Sequence, residues 1–332
     1  MKLQALFFAL AVLLLTSGEA RAQLSCSFAI ADMPFGDVPV LTGDPDTATA
    51  TLTISCGGTG LLSNLDVCVH LGTGGGGQTA GVRHMTTTGG QLDFAFFKDS
   101  ARLVPWGTGL STPTFGTQVD QTYTILVNIL GIGDLQETMT IYGEVGGNQQ
   151  TAPIGAYASL FSGGQATVQY RIRSTLEIAG CDLSGTQTAT PVFNVSASVA
   201  SLCMISTEPT GIDFGQHGVL GANVTGAGAV GVTCTNGTPY EVGLDGGIAG
   251  AAAPAYREMR LTGNPPGGPL IAYQLYKDAA FANEFGNADP YRLHLVATGA
   301  EQTIDVYGRV APAQNTPAAG TYHDTVVVTV TY

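Results

Sequence analysis

The sequence predicts an all-β protein built from two copies of one module. Three observations carry this. The 332 residues include 46 glycines and only 11% charged residues, a composition of short strands and turns rather than helices. Segments such as Phe193, Val195, Ala197, Val199 and Val326, Val328, Val330, Tyr332 alternate at a period of two with β-branched residues, which is strand spacing. Finally, landmark residues recur at a constant offset along the chain.

Taken in order, the chain opens with Lys2, an apolar run from Ala5 to Leu15 and the triplet Ala20, Arg21, Ala22, the parts of a secretory signal peptide over residues 1–22. Gln23 is the expected mature start. The apolar run is shorter than the ~20 residues a membrane-spanning helix needs. A formal charge of -13 argues against nucleic acid and anionic membrane as partners.

The first module begins at Cys26, followed by Phe35 and Gly36; the second has Cys203, Phe214 and Gly215, and Cys56 matches Cys234, at offsets of 177 to 179. Phe94 to Asp99 matches Tyr273 to Asp278, and Trp106 and Gly107 match Phe285 and Gly286, all at 179. After an insertion, Tyr142 and Gly143 match Tyr307 and Gly308, and Gly155 and Tyr157 match Gly320 and Tyr322, at 165. The repeat pairs Cys26 with Cys56 and Cys203 with Cys234, each closing a loop of about 30 residues and contributing roughly 3 to 4 kcal/mol by chain entropy. Cys68 and Cys181 remain and are expected to pair. The reading therefore places the first module at 23–181, a polar linker at 182–187 and the second module at 188–332.

The second module ends on an alternating strand with Val326, Val328, Val330 and Tyr332 on one face and no partner following it, the edge expected to accept a strand from outside. Before Cys26 only Gln23, Leu24 and Ser25 would remain after cleavage, too few for a further strand. In the first module residues 165–178 continue past the matched end. Two alignments stay open: 165–178 forms an extra strand after a hairpin at 162–164, or Tyr170 aligns with Tyr332 and the extra strand begins at Arg171. Either leaves the first module complete by itself.

Three stretches in the first module carry apolar residues beside glycine, where a plain surface loop would be polar. They hold Leu61 and Leu62; Leu130, Ile132 and Leu135; and Leu160 and Phe161. They are the candidate surface-binding loops, with packing inward as ordinary core the rival reading. Trp106, matched by Phe285, and Tyr157 and Tyr322, each placed like a corner tyrosine, read as structural. The histidines His70, His84, His217, His294 and His323 lack zinc-motif spacing, and glycines 72–77 lack the Lys and Ser/Thr of a phosphate loop. No catalytic residue, metal or other cofactor is assigned.

Cys203, Phe214, Gly215, Cys234, Tyr273 to Tyr276, Phe285, Gly286, and the run from Tyr307 through Gly320, Tyr322 and Asp324 resemble the spore coat protein U domain family, which supplies subunits of archaic chaperone–usher pili. The first module resembles it more loosely, with Glu144 to Gly147 replacing the Arg-Val-Ala-Pro run. The resemblance implies two immunoglobulin-like, pilin-type β-sandwich domains, the C-terminal one lacking its final strand. It also implies a periplasmic chaperone, an outer-membrane usher and an adjacent subunit donating a strand as partners. With so few residues before Cys26, the resemblance implies a chain that accepts a strand without donating one. The role implied is a tip adhesin, exported through the periplasm to the cell surface, attaching to abiotic or host surfaces, hydrophobic ones above all. The rivals are a shaft or coat subunit without adhesive activity, and a carbohydrate-binding module or hydrolase.

Overall fold

A computed structural model describes residues 24–110, 115–180, 185–248, 256–263, 268–314 and 317–332. Among them there is no helix. The signal-peptide residues 1–22, the mature start at Gln23, and Cys181 lie outside the described residues. The first domain is formed by β1 (Ser25–Ile30), β2 (Met33–Asp37), β3 (Asp46–Thr59), β4 (Ser63–Leu71), β5 (Gln78–Thr79), β6 (Val82–Thr87), β7 (Gly90–Phe97), β8 (Val119–Val127), β9 (Ile132–Val145), β10 (Gly155–Phe161), β11 (Ala166–Ser174), β12 (Gln187–Ala189) and β13 (Phe193–Val199). The second comprises β14 (Cys203–Thr207), β15 (Val224–Cys234), β16 (Pro239–Leu244), β17 (Arg257–Leu261), β18 (Leu270–Tyr276), β19 (Leu293–Val296), β20 (Gln302–Val310), β21 (Tyr322–His323) and β22 (Val328–Thr331).

Each domain is a sandwich of the immunoglobulin-like, pilin type, with inward alternate residues meeting between the layers. Leu52, Ile54, Val67, Val69, Phe96 and Trp106 centre the first core; Val230, Val232, Val242, Leu275, Phe285 and Ile304 centre the second. The repeat is visible in ladders: β1 pairs β3 with Cys26 opposite Cys56, and β14 pairs β15 with Cys203 opposite Cys234. Both disulfides are formed. Cys68 is also disulfide-bonded.

Duplication extends to polar core contacts. Trp106 is fully buried and its indole N–H donates to the Val69 carbonyl at 3.0 Å. Tyr157 donates to the Pro153 carbonyl and Tyr322 to the Ala318 carbonyl, each four residues upstream. Each domain also buries an arginine that the sequence reading missed. Arg83 donates to the carbonyls of Leu71, Gly72 and Trp106; Arg257 donates to those of Leu244, Asp245 and Phe285. Burial pushes the Arg83 guanidinium down to about 9, and its three carbonyl partners meet the hydrogen-bonding demand that burial creates.

The pairing of β10 to β13 corrects the domain boundary. β11 pairs β4 with Ala166 opposite Leu71, as β22 pairs β16 with Val328 opposite Leu244, so Tyr170 does occupy the place of Tyr332. The strand that completes the first domain comes later. β13 runs antiparallel to β10, from Gly155 opposite Val199 to Phe161 opposite Phe193, and parallel to β2, with Val195 opposite Met33. Residues 187–199, read from sequence as linker and the opening of the second module, therefore belong to the first sandwich. Their alternation marked a strand with one buried face but carried no information about which sheet would take it.

Only three residues separate β13 from β14, and the domains touch there. The Ile154 N–H donates to the Asn236 carbonyl at 2.9 Å, and the Asn236 amide donates to the Thr151 carbonyl at 2.7 Å.

Candidate functional sites: an open groove and an apolar pole

The first site is where the second domain has, among the described residues, no counterpart of β13. In the first domain β13 lies between β2 and β10. The matching walls in the second are the segment around Ile212 and Phe214, and the segment leading into β21. Phe214 takes the position of Phe35: a side chain on Gly308 would collide with Phe214, as one on Gly143 would with Phe35. Between these walls lies a groove of about 1120 Å³, floored by Val230, Met259, Ile271, Leu275 and Val306. Among the described residues no strand pairs with β21 on the side that faces β13 in the first domain; β21 pairs only β17. The segment at Ile212 and Phe214, which would be the partner of such a strand, is in no ladder.

The predicted acceptor residues divide around this groove. Val326 and Val328 line it. Val330 packs against the second core from the β16 ladder, and Tyr332 is exposed beyond the end of β22. The last strand is therefore paired along one edge with β16, and the vacancy lies beside the preceding segment, not beyond Tyr332.

The second site is the pole of the first domain farthest from the second. The tip between β8 and β9 is a turn held by Asn128, whose side-chain oxygen accepts from the N–H groups of Leu130 and Ile132 at 2.9 and 3.0 Å. Gly131, at a φ of 77°, closes it. The adjoining tip between β3 and β4 is joined to it by Gly60 N–H donating to the Gly131 carbonyl at 2.8 Å. Both turns hold apolar side chains out in water: Leu61 is 84% exposed and Ile129 fully so, beside exposed Leu62, Leu126, Leu130 and Ile132.

A third loop, 174–180, leaves β11 at the same pole, since Ser174 lies opposite Ser63. It exposes Leu176 (96%) and Ile178. A fully buried carboxylate anchors it: Asp66 accepts from Arg173 Nε at 2.7 Å, Gly180 N–H at 3.0 Å and Thr122 Oγ1 at 2.9 Å. Arg173 and Arg171 donate in turn to the carbonyls of Glu177 and Ile178. Burial by itself pushes the Asp66 carboxyl up, but the hydrogen bonds from Arg173, Gly180 and Thr122 outweigh it and hold the group below the ordinary carboxylate range.

The sequence-predicted loop residues part company here. Leu61, Leu62, Leu130 and Ile132 gather at this pole. Leu135 is buried (8%) within β9, opposite Cys56 of the neighbouring β3. Phe161 is fully buried, stacked on Phe193 at 4.7 Å between ring centres and in contact with Phe94 and Phe96. Leu160 is exposed, but the connection it enters lies at the Leu71 end of β4, on the order of 26 Å from the tips at ~3.3 Å per residue. Ile129, Leu126, Leu176 and Ile178 were missed. A polar turn residue, Asn128, directly before two consecutive large aliphatics was the available clue for Ile129; nothing local separated 174–178 from a strand.

Among the described residues no group of three or more His, Cys, Asp or Glu could hold a metal ion, and no helix is long and apolar enough to cross a membrane.

The family described as the Spore Coat Protein U domain matches residues 10–163 and 189–329. The chain belongs to that family. Protein U of Myxococcus xanthus is 32% identical over 154 residues, covering 44% of this chain and 86% of that protein. Among solved structures, similarity extends to the CsuC–CsuE chaperone–tip adhesion subunit pre-assembly complex from archaic chaperone–usher Csu pili of Acinetobacter baumannii, at 18% identity and a TM-score of 0.48, covering 93% of this chain and 100% of that one. The CupB6 tip adhesin of Pseudomonas aeruginosa is similar at 13% identity and a TM-score of 0.37, covering 93% and 94%. One matched stretch falls in each half of the repeat, the second beginning ahead of β13, the strand that completes the first domain.

Proposed function

We propose that this chain is the tip adhesin of a chaperone–usher pilus, exported through the periplasm to the cell surface. The carrying observation is the difference between the grooves: β13 fills the first, and the second, of about 1120 Å³, is open among the described residues. An apolar groove flanked by an unpaired strand edge is an aggregation hazard until another chain supplies backbone hydrogen bonds and alternating side chains. A periplasmic chaperone would hold it during transit, an outer-membrane usher would exchange the chaperone for an adjacent subunit, and that subunit's strand would then remain. With a neighbouring subunit's strand taken up there, the second domain would face the fibre and the first would stand at its distal end.

In this role the distal pole attaches to surfaces. Eight large aliphatic side chains on hydrogen-bonded turns form a patch that burial would stabilise at about 25 cal/mol per Å² of apolar area, with little loss of backbone freedom because the turns are already fixed. The reaction is adhesion, without catalysis, and the surface is hydrophobic, abiotic or on a host. A second reading, a coat subunit without adhesive activity, is favoured by the family description alone. The test is attachment of assembled fibres to polystyrene. Replacing Leu61, Ile129, Leu130 and Leu176 by Ser should reduce retention at least tenfold while fibre yield and melting temperature stay within error; unchanged retention rejects the adhesive pole. Immunogold labelling against the first domain should mark only fibre ends, and label along the length would make the chain a shaft subunit.

A further inference from the structure

The two grooves differ at one position in a way that bears on which strand can enter the second; the argument rests on the strand-accepting reading above. The ladders give the register. Ala158 lies opposite Thr86 in the first domain, and His323 opposite Arg260 in the second. Tyr157 thus corresponds to Tyr322, Ser159 to Asp324 and Phe161 to Val326. In the filled groove Ala197 lies opposite Tyr157, Val195 opposite Ser159 and Phe193 opposite Phe161. Ser159 is buried and neutral, and its oxygen is occupied by the Gly76 N–H at 3.1 Å. An aliphatic valine beside it leaves nothing unsatisfied.

The second groove holds a carboxylate at this place. Asp324 lines the cavity and is half-buried while the groove is open. It accepts from the Tyr273 hydroxyl at 2.6 Å and from the N–H groups of Ile248 and Thr325 at 2.6 and 2.8 Å. Tyr273 is itself a departure, standing where the first domain has Phe94. Of the cations nearby, Arg257 is spent on backbone carbonyls and Gln274 and Arg260 reaches the Ile248 carbonyl at 3.5 Å, so neither forms an ion pair with Asp324. An incoming strand would seal Asp324 from water, and its three donors leave one of the roughly four acceptor positions of a carboxylate, and its charge, uncompensated beneath an aliphatic side chain.

We infer that the groove selects a donor strand running antiparallel to β21 that is not uniformly apolar: its residue opposite Asp324 carries a hydrogen-bond-donating side chain, lysine or threonine, between apolar neighbours. The residues opposite Val326, Tyr322 and Gly320 remain apolar, as Phe193, Ala197 and Val199 are, with a small one over Tyr322. Asp324 then acts as a specificity residue that disfavours strands like β13 itself.

The test uses the full chain and three synthetic peptides with the sequence of residues 190–201, carrying Val, Thr or Lys at the position of Val195, with binding read by fluorescence anisotropy. The Lys and Thr peptides should bind about tenfold tighter than the Val peptide, a difference of about 1.4 kcal/mol. Asp324→Ser, which installs the residue of the first domain, should abolish that preference. Asp324→Asn, which keeps an acceptor for Tyr273, should remove the advantage of Lys and retain that of Thr, so a folding failure of the serine variant leaves the inference exposed. A Val peptide binding wild type as well as the Lys and Thr peptides overturns the selectivity while the groove stands as an acceptor. Absence of binding by all three overturns the acceptor reading itself.

Discussion

The same two tips in the two domains meet opposite fates. In the second domain the β15–β16 tip at Asn236 and Gly237 and the β19–β20 tip at Gly299 are polar and short, linked by Gly237 N–H donating to the Ala297 carbonyl, and they meet residues 150–154 of the first domain. In the first domain the equivalent tips, linked by the same kind of bond from Gly60 to Gly131, stand on longer strands, 14 residues each in β3 and β9 against 11 and 9 in β15 and β20, and are apolar and exposed. The grooves divide the other way: filled in the first domain, open in the second. Duplication supplied two similar frames, and specialisation consisted of elaborating one pole, docking the other, and, among the described residues, giving a completing strand to one sandwich only.

The largest test of this contrast is to empty the filled groove. Phe193→Ala removes a fully buried ring from the stack with Phe161 and should cost about 3–5 kcal/mol, read as a lower urea midpoint for the first domain and new aggregation at its edge. Unfolding at the wild-type midpoint would mean β13 is not the completing strand. Next is the disulfides. Replacing Cys203 and Cys234 by Ala, or Cys26 and Cys56 by Ala, should cost roughly 3 to 4 kcal/mol each by loop closure. The first pair should abolish recovery of folded second domain unless a donor peptide is present, whereas the closed first domain should survive loss of its own bridge. Equal survival of both would erase the proposed stability gap.

The converse experiment fills the open groove. A donor strand present at 100 times its dissociation constant should raise the stability of the second domain by about 2.7 kcal/mol, with no change in the transition of the first. A shift in both transitions would indicate general crowding on apolar surface instead.

The smallest effect concerns pH and the pole. Asp66 has its carboxyl held below the unfolded value of 3.8, so its contribution is fully present above that value and is lost as pH falls through the lower folded pKa. Hydrogen exchange of the 174–180 amides should accelerate there before the core opens, after correction for intrinsic rates. Asp66→Asn should show the looser loop already at neutral pH. The second domain has Pro239 at the matching place, so its tips should show no such acid step.

Much of this was legible in the residues. The repeat register predicted both observed cysteine pairs because Cys26 and Cys56 recur together with Phe35, Gly36 and Tyr142, and a duplicated frame keeps its cross-links. Alternation located β11, β13 and β22, and the corner tyrosines and the core role of Trp106 followed from their matches. Apolar loops were found as stretches, but burial of individual members was not: Leu61 and Phe161 have similar local surroundings, and only the arrival of β13 beside β10 seals Phe161 while Leu61 stays on a turn.

The sequence by itself determined the all-β class, the duplication and two of its cross-links; the extra strand it suggested at 165–178 is not the one that completes the first domain. Tertiary structure decided which strand does, which apolar loops share a pole, and that the vacancy lies beside β21 instead of beyond Tyr332. The physical reason is that periodicity specifies a strand's buried face, a local property of side-chain spacing, whereas its partner is set by long-range backbone hydrogen bonding and by the shape of the cavity it fills.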